Sequence, residues 1–377
     1  MRAFFLTSLA PDMTTYRAVV MPAPHAPLEL RDIPAPEPKD GGVLLEVRFS
    51  EVCGTDVHLH HGKLSGVPYP IVPGHVSVGT IAELAAPIDD IAGRPFRVGD
   101  TVTFLDVHGT CGRCYHCLVS KQTTRCPHRR VYGITLSAND GLLGGWAQAL
   151  WLKPGVHMLR LPDGMDPECF IGGGCGLVTS MHAIERAELR FGQRVAVLGV
   201  GPVGQSAVAL AALSGADRVV AIGAPASRLE FAMRMGATDV LGLTVDPRDR
   251  VEHVRGITGG HGVDVVIEAS GAPDAVAQAF DLVRDGGRIV ICGHYTDNGD
   301  VRIHPHWHIN RKHVEVRGVW GCDFSHFYGA VNAAVRFGSR VPWREMIGGR
   351  YGLDGAASAL RAVEERTVTK ALIVPNG

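Results

Sequence analysis

Four cysteines lie within one short stretch of the chain, at Cys111, Cys114, Cys117 and Cys126. Four thiolates at this spacing can close a tetrahedral shell around a zinc ion and leave no open position, which is the arrangement of a structural metal site. The chain has 9 cysteines, an odd number, and such clustering indicates metal binding in a reducing compartment rather than a disulfide framework. The spacing therefore predicts structural zinc; redox-active or merely buried cysteines are the alternative.

A glycine-rich turn occurs further along, at Gly199, Gly201 and Gly204, with Pro202 and Val203 before the last glycine. An apolar strand precedes this turn and a long apolar helix follows it, which is the context that a dinucleotide-binding fingerprint requires. In such a turn the first glycine permits the tight bend, the second lets backbone amides approach the pyrophosphate, and the third lets helix and strand pack closely. We expect a dinucleotide here; three glycines in an ordinary strand–helix turn are the alternative.

The end of the next strand bears on which dinucleotide is bound. In dinucleotide-binding folds of this kind that bind NAD, an acidic side chain about 20 residues beyond the turn accepts hydrogen bonds from the adenosine ribose. At that position this chain has no acidic residue and reads Gly223-Ala-Pro-Ala-Ser227-Arg228. Without a carboxylate a 2′-phosphate is not repelled, and Ser227 and Arg228 supply a hydrogen-bond donor and a positive charge. We therefore expect NADP(H) to be favoured over NAD(H); the alternative is that neither side chain affects cofactor choice.

Two patterns of secondary structure must position these groups. Up to about residue 170, short strand-like runs broken by Gly, Pro and Asp predict an irregular β domain. From Arg194 onward, short β-branched runs alternate with amphipathic helices, which predicts a parallel sheet with helices on both faces. The clearest predicted strands are 43–49, 101–104, 145–152, 195–198, 218–222, 263–268 and 288–292. A helix at 327–337 and a last strand at 370–374 are expected to pack back on the first domain.

The composition is that of a globular protein of about two domains. Its 377 residues are 46% hydrophobic, and 37 Lys and Arg balance 38 Asp and Glu. This balance gives no broad positive field, so we expect no nucleic-acid or membrane partner. The uncharged run 195–216 contains a proline and four glycines, so it predicts strand, turn and helix rather than a membrane span. Residues 1–11 have no clear signal cleavage site, Met13 offers an alternative start, and we expect a cytoplasmic protein.

Further candidate metal ligands are scattered along the chain. Cys53 lies in a Glu-Val-Cys-Gly-Thr-Asp-Val-His segment, His75 in Pro-Gly-His-Val, and Cys175 in Gly-Gly-Gly-Cys-Gly. Spacing alone does not join the three into one site. Together with the four-cysteine loop and the glycine turn, these segments resemble those of the zinc-dependent medium-chain dehydrogenase/reductase family, which includes alcohol, sorbitol and threonine dehydrogenases. The resemblance runs from about Tyr16 to the C-terminus.

The resemblance implies both a fold and an activity. The fold would be α/β, with a GroES-like irregular β barrel catalytic domain at 14–174 and 320–377 and a Rossmann domain with a doubly wound parallel sheet at 175–319. The active site would lie in the cleft between them. The activity would be zinc-dependent, NAD(P)(H)-dependent interconversion of an alcohol and a ketone or aldehyde, acting on a small molecule in a homodimer or homotetramer.

The same resemblance implies roles for particular residues. Cys53, His75 and Cys175 would hold a catalytic zinc and leave a fourth position for water or substrate oxygen, giving two zinc ions per subunit. Thr55 would contact the substrate hydroxyl and pass its proton through the cofactor ribose to His58.

Two further residues have supporting roles by the same comparison. Asp56 would orient His75, and Lys370 lies where relatives often carry a cation for the pyrophosphate. The alternative for Lys370 is a solvated lysine without a cofactor role. The alternative for His58 is an exposed, solvated histidine, like His60 and His61 close to it in the sequence.

One position departs from the family pattern. Relatives usually read Gly-His-Glu where this chain has Gly74-His75-Val76, and that glutamate often lies close to the zinc and enters its shell during ligand exchange. Val76 cannot ligate. A second hypothesis is therefore an NADPH-dependent reductase of a conjugated C=C or C=N bond, including reductive cyclisation in specialised metabolism; a third is a nucleotide-binding redox sensor without catalysis.

Overall fold

The computed structural model describes residues 14–36 and 41–377. The expectations for residues 1–11 and Met13 concern positions outside these described residues. Within them, a mixed seven-stranded sheet and a parallel six-stranded sheet carry most of the architecture. Among the described helices, none has both the length and the apolar character needed to cross a membrane.

The seven-stranded sheet combines strands from both ends of the chain. The strands outside the parallel sheet are β1 (Thr15–Val20), β2 (Glu29–Pro34), β3 (Val43–Val52), β4 (Ser77–Leu84), β5 (Thr101–Phe104), β6 (Val107–His108), β7 (Arg130–Val131), β8 (Ala149–Leu152), β9 (Met158–Arg160), β16 (Ile347–Tyr351) and β17 (Lys370–Ile373). Of these, β1 pairs with β2 and β6 pairs with β7 in two small separate sheets, and the other strands form the seven-stranded sheet. The sheet order is β16-β17-β3-β4-β5-β9, and β8 also pairs with β3. Because β3 has neighbours on both sides, it is buried along most of its length.

The six-stranded sheet is parallel throughout. Its strands are β10 (Arg194–Leu198), β11 (Arg218–Gly223), β12 (Asp239–Gly242), β13 (Val263–Glu268), β14 (Val283–Ile291) and β15 (Glu315–Gly318). Their order is β12-β11-β10-β13-β14-β15, so the direction of winding reverses between β10 and β13. In open parallel sheets, ligands bind in the crevice at the carboxyl ends of the strands at such a reversal.

Helices cover the sheets and connect the two halves of the chain. They are α1 (Gly54–His60), α2 (Tyr115–Leu118), α3 (Glu168–Ala187), α4 (Pro202–Leu213), α5 (Ala226–Met235), α6 (Pro247–Ile257), α7 (Pro273–Leu282), α8 (Phe324–Phe337) and α9 (Ala356–Glu364). Short helical turns lie at Thr123–Arg125, Ala138–Asp140, Pro305–Asn310, Trp343–Met346 and Leu353–Gly355. Apolar residues of α3, including Phe170 and Leu177, share one core with Val195 and Val197 of β10.

The predicted α/β class, with a doubly wound parallel sheet in the second half of the chain, is confirmed. Helix α3 was not predicted, because its run of three glycines at 172–174 has low helix propensity. The helix forms nevertheless because its apolar residues are buried, and it is kinked at Gly174, whose φ is 47°.

Candidate active site

The glycine turn connects β10 to α4. Gly199 has a φ of 106°, a left-handed conformation that favours glycine, and Gly201 is the residue before the first turn of α4. A Cβ on Gly204 would overlap the carbonyl oxygen of Gly199, so close packing of helix and strand requires glycine there. Pro202 and Val203 line a cavity next to the turn.

The loop after β11 contains the residues expected to select the dinucleotide. Gly223 ends the strand, and Ser227 is exposed in the first turn of α5. The side chain of Arg228 donates one hydrogen bond to the carbonyl oxygen of Val368 at 3.2 Å. Burial lowers the pKa of Arg228, and so does a second guanidinium nearby, that of Arg366. Two arginines therefore stand near the end of β11, of which the sequence indicated one.

The four cysteines of the loop form one cluster. The Sγ atoms of Cys111, Cys114, Cys117 and Cys126 all lie within 4.8 Å of one another. Cys114 Sγ lies 3.5 Å from Cys117 Sγ and 3.9 Å from Cys126 Sγ. Cys126 Sγ lies 3.6 Å from Cys111 Sγ. A tetrahedron of Zn–S bonds of about 2.3 Å separates its sulfurs by about 3.8 Å, so the arrangement fits zinc.

A second cluster joins the three scattered ligands. Cys53 follows the end of β3, His75 precedes β4, and Cys175 follows the kink in α3. Ligand atoms of these residues, and of Glu51, all lie within 4.8 Å of one another, and Cys53 Sγ is 4.0 Å from His75 Nε2. The structure thus brings together three residues that spacing alone could not join.

The electrostatics of this cluster favour a cation. Burial alone would lower the pKa of His75, but the Cys53 thiolate and two nearby carboxylates raise it to about 10. The surroundings of His75 therefore favour a positive charge, which a divalent metal bound by the neutral imidazole would supply. Two thiols and an imidazole are also donors that zinc prefers.

Helix α1 begins next to this cluster and holds Cys53 in place. Asp56 Oδ2 accepts a hydrogen bond from the backbone N–H of Cys53 at 2.9 Å, and Cys53 Sγ accepts one from the backbone N–H of Thr55 at 3.4 Å. Asp56 was expected to orient His75, but Asp56 Oδ1 and His75 Nδ1 are each buried without a hydrogen-bond partner among the described residues. By hydrogen bonding, Asp56 therefore orients Cys53 rather than His75, although its charge contributes to the raised pKa of His75.

Thr55 and His58 both line the cavity. His58 is half-buried, and its ring centroid is 6.5 Å from that of Tyr295. Burial, followed by the charge of Lys63, lowers the pKa of His58. The alternative of a fully solvated histidine does not describe this position.

Lys370 is placed differently from the expectation. Its side chain is fully buried, with Nζ 2.6 Å from Glu51 Oε2, 3.0 Å from the carbonyl oxygen of Gly173 and 3.3 Å from that of Ile171. These acceptors use all three hydrogens of the ammonium group. The assignment to the pyrophosphate is therefore wrong for this structure, as is a solvated lysine, because β17 runs beside β3 and Lys370 Nζ meets Glu51 in the interior.

Cys53, His75 and Cys175 line the same cavity as Pro202 and Val203, which follow Gly201 at the start of α4. The cavity has a volume of about 370 Å³. Most of the cavity lining is apolar, including Leu64, Phe104, Ile134, Phe170, Val178 and Phe327. An apolar cleft with a few converging polar groups is the usual form of a small-molecule site.

Sequence reasoning missed several polar and aromatic residues of this cavity. Asp106, Arg129, Tyr295 and Trp320 line it from separate loops. Trp320 stacks on Tyr295 with ring centroids 5.9 Å apart, and the guanidinium of Arg129 lies 5.4 Å from the Trp320 ring. No local motif marks these residues, because each belongs to a different connection between elements.

Comparison with known proteins agrees with this geometry. Residues 39–163 match the family described as alcohol dehydrogenase GroES-like domain, and residues 202–336 match the family described as zinc-binding dehydrogenase. The chain is 32% identical to 5-exo-hydroxycamphor dehydrogenase of Pseudomonas putida over 360 residues, which cover 95% of this chain and 98% of the relative.

Solved structures give the same result. An alcohol dehydrogenase from Thermotoga maritima superposes with a TM-score of 0.92 at 28% identity, covering 96% of this chain and 100% of that chain. A zinc-binding dehydrogenase from Sinorhizobium meliloti bound to NADP superposes with a TM-score of 0.83 at 27% identity, with the same coverage of 96% and 100%.

The chain therefore belongs to the zinc-dependent medium-chain dehydrogenase/reductase family, and the resemblance found in the sequence is confirmed. Its relatives are named as dehydrogenases, so the protein is an oxidoreductase of this family.

Proposed function

We propose that the protein interconverts an alcohol and the corresponding ketone or aldehyde, using a catalytic zinc and, in preference to NAD(H), NADP(H). The observation that carries the proposal is the shared cavity, which is lined by Cys53, His75 and Cys175 of the metal cluster, by Thr55 and His58, and by Pro202 and Val203 at the start of α4. Hydride transfer needs an alcohol carbon and a dinucleotide side by side, and this cavity is bounded by a candidate site for each.

The residues around the cavity would have different roles in the reaction. Cys53, His75 and Cys175 would hold the zinc, which polarises a substrate oxygen and stabilises the alkoxide when it is bound. Thr55 would orient the substrate hydroxyl. His58 would accept its proton, since burial lowers the pKa of His58 and keeps the imidazole neutral.

The cavity also favours a class of substrate. Its mostly apolar lining favours an alcohol with an apolar body over a polyol, because each buried hydroxyl without a partner costs free energy. The Pseudomonas putida relative is named for 5-exo-hydroxycamphor, and we include that compound among the substrates to test.

The preference for NADP(H) has two supports. Residues 223–228 contain no carboxylate, and Arg228 has Arg366 as a cationic neighbour. The Sinorhizobium meliloti neighbour is described as bound to NADP. A 2′-phosphate would meet positive charge rather than repulsion at the end of β11.

We further propose a cytoplasmic homodimer or homotetramer with no nucleic-acid or membrane partner. Strand β15 is the outer strand of the parallel sheet among the described residues, and a second copy can pair with such an unpaired edge. Sedimentation analysis measures the assembly directly.

The alternative reductase activity is not favoured, because the matched relatives are named dehydrogenases. The redox-sensor hypothesis gains no support from them either.

The deciding experiment combines metal content with turnover. Purified enzyme should contain two zinc ions per subunit and oxidise apolar secondary alcohols, including 5-exo-hydroxycamphor, with NADP. Cys175→Ser should remove one zinc and the activity, whereas the control Cys169→Ser, on the same helix but outside both clusters, should retain both. Reduction of conjugated acceptors without turnover of any alcohol, or an active Cys175→Ser enzyme with one zinc, would overturn the proposal.

A further inference from the structure

The carboxylate of Glu51 belongs to the candidate catalytic metal cluster. Its side chain is fully buried, and its Oε1 lies 3.7 Å from His75 Nε2. One of its oxygens lies within 4.8 Å of the ligand atoms of Cys53, His75 and Cys175. The cluster therefore has four donor groups, where the resemblance implied three ligands and an open position.

Glu51 stands beside the position where the family glutamate is missing. Its backbone N–H donates a hydrogen bond to the carbonyl oxygen of Val76 at 3.1 Å, because β3 pairs with β4 at this point. Val76 offers no ligand atom, but the neighbouring strand supplies a carboxylate to the same cluster. The departure from the family pattern is thus accompanied by a carboxylate on the adjacent strand.

The two oxygens of Glu51 have different surroundings. Oε2 accepts a hydrogen bond from Lys370 Nζ at 2.6 Å, whereas Oε1 faces His75. The backbone N–H of Cys175 lies 3.2 Å from both oxygens. One carboxylate oxygen, Oε2, therefore bonds to the Lys370 ammonium, and the other, Oε1, lies next to the metal cluster.

Charge balance explains why Lys370 accompanies Glu51. Two thiolates and one carboxylate around Zn²⁺ leave a net charge of −1, and a buried net charge is costly unless it is compensated. The ammonium of Lys370, itself fully buried and held by two carbonyl oxygens, supplies the missing positive charge. The total stays neutral whether Glu51 contacts the metal or only Lys370.

We propose that Glu51 is an exchangeable fourth ligand of the catalytic zinc and that Lys370 controls the exchange. Glu51 occupies the fourth position while no substrate oxygen is there and withdraws onto Lys370 and the Cys175 N–H when substrate enters. This role rests on the proposed catalytic zinc, and it assigns Glu51 the exchange function for which Val76 is unsuited.

The test measures access to the fourth position without using turnover. Co²⁺ replaces Zn²⁺, and imidazole is titrated while the visible d–d absorption of the metal is recorded. The four-cysteine shell offers imidazole no position, so the response reports the catalytic site. Glu51→Gln, which keeps the shape but loses the charge, should bind imidazole about tenfold more tightly than the unmodified protein, the lower end of the effects seen when groups around a metal are changed.

Lys370→Met should act in the opposite direction, because a carboxylate released from its cation binds the metal more strongly, and imidazole should then bind about tenfold more weakly. The matched control is Glu168→Gln, which alters another buried carboxylate outside the cluster and should leave imidazole binding unchanged. If Glu51→Gln fails to fold, the double variant Glu51→Gln/Lys370→Met removes both charges together and should still bind imidazole more tightly.

The outcomes separate this inference from the proposed function. Equal imidazole affinity in all variants, or shifts of the same sign in Glu51→Gln and Lys370→Met, would overturn the role of Glu51 and leave the catalytic metal intact. A protein that takes up no Co²⁺ at this cluster, or whose spectrum does not respond to imidazole, would overturn both.

Discussion

Lys370 Nζ lies 2.6 Å from Glu51 Oε2 although 319 positions separate the two residues, and neither side chain is exposed. The pair joins the last strand of the chain to the strand that leads into the metal cluster. The pair occupies the space that a side chain at Gly174 would need, so a substitution of Gly174 would disturb the contact between Glu51 and Lys370.

Gly174→Ala should destabilise the protein and prevent metal binding at the proposed site of Cys53, His75 and Cys175. A Cβ there would overlap Glu51 Oε2 and lie 2.5 Å from Lys370 Nζ, and the φ of 47° is unfavourable for alanine. We expect a loss of about 1–3 kcal/mol in the free energy of unfolding and retention of the four-cysteine zinc. Gly256→Ala, in α6 with open space around it, should be neutral or slightly stabilising. Urea unfolding and zinc analysis check both; a Gly174→Ala protein with two zinc ions and normal stability would contradict the expectation.

Arg228→Ala should lower kcat/KM for NADP and leave that for NAD unchanged. Loss of a charge-assisted hydrogen bond to a phosphate removes about 1.5–3 kcal/mol, or roughly 10- to 100-fold in kcat/KM. Arg234→Ala is the matched control, since Arg234 lies on the same helix but pairs with Glu345. Steady-state kinetics with both cofactors decide; a preference for NAD that survives in Arg228→Ala would count against the assignment.

His58 should set the acidic limb of the pH profile for alcohol oxidation. Burial disfavours the imidazolium and lowers the pKa of His58, so the neutral, proton-accepting form persists to a pH below the usual histidine range. The rate should fall only as the pH drops through this lowered pKa. His58→Gln should reduce kcat about 100-fold or more and abolish this limb, whereas His60→Gln, on the same helix but away from the cavity lining, should do neither. If the acidic limb is unchanged in His58→Gln, His58 does not accept the proton in alcohol oxidation.

Glu168 should stabilise the junction between α3 and the C-terminal strands above about pH 4.5. Its oxygens accept hydrogen bonds from Arg350 at 2.5 Å and 2.8 Å and from Arg344 at 2.9 Å. Bonding to Arg350 is the main cause of its lowered pKa. A lowered carboxyl pKa gives stability that is present above the unfolded-state value and is lost as pH falls through the folded-state value.

Glu168→Gln should therefore lose about 1–2 kcal/mol at neutral pH, because both arginines are partly exposed and solvent screens the pairs. The difference from the unmodified protein should shrink in acid. Glu188→Gln, at an exposed pair with Arg317, should have a smaller effect. Urea unfolding at several pH values measures this, and a difference independent of pH would contradict it.

Features whose residues all lie close together in the chain could be predicted from the local amino-acid sequence. The four cysteines close a loop because their spacing brings the sulfurs together without help from other segments. The turn at Gly199 lies between strand and helix because its neighbours are β-branched on one side and helix-forming on the other. The parallel sheet followed from the alternation of such segments.

Contacts between distant residues depend instead on how the helices and strands pack in three dimensions. Cys53, His75 and Cys175 converge because β3, the segment before β4 and the kinked α3 pack together. Glu51 and Lys370 were not recognisable as a pair, since strands β3 and β17 come from opposite ends of the chain. Local spacing constrains atoms through covalent geometry, whereas long-range pairing depends on which buried faces pack, and a local pattern does not record that choice.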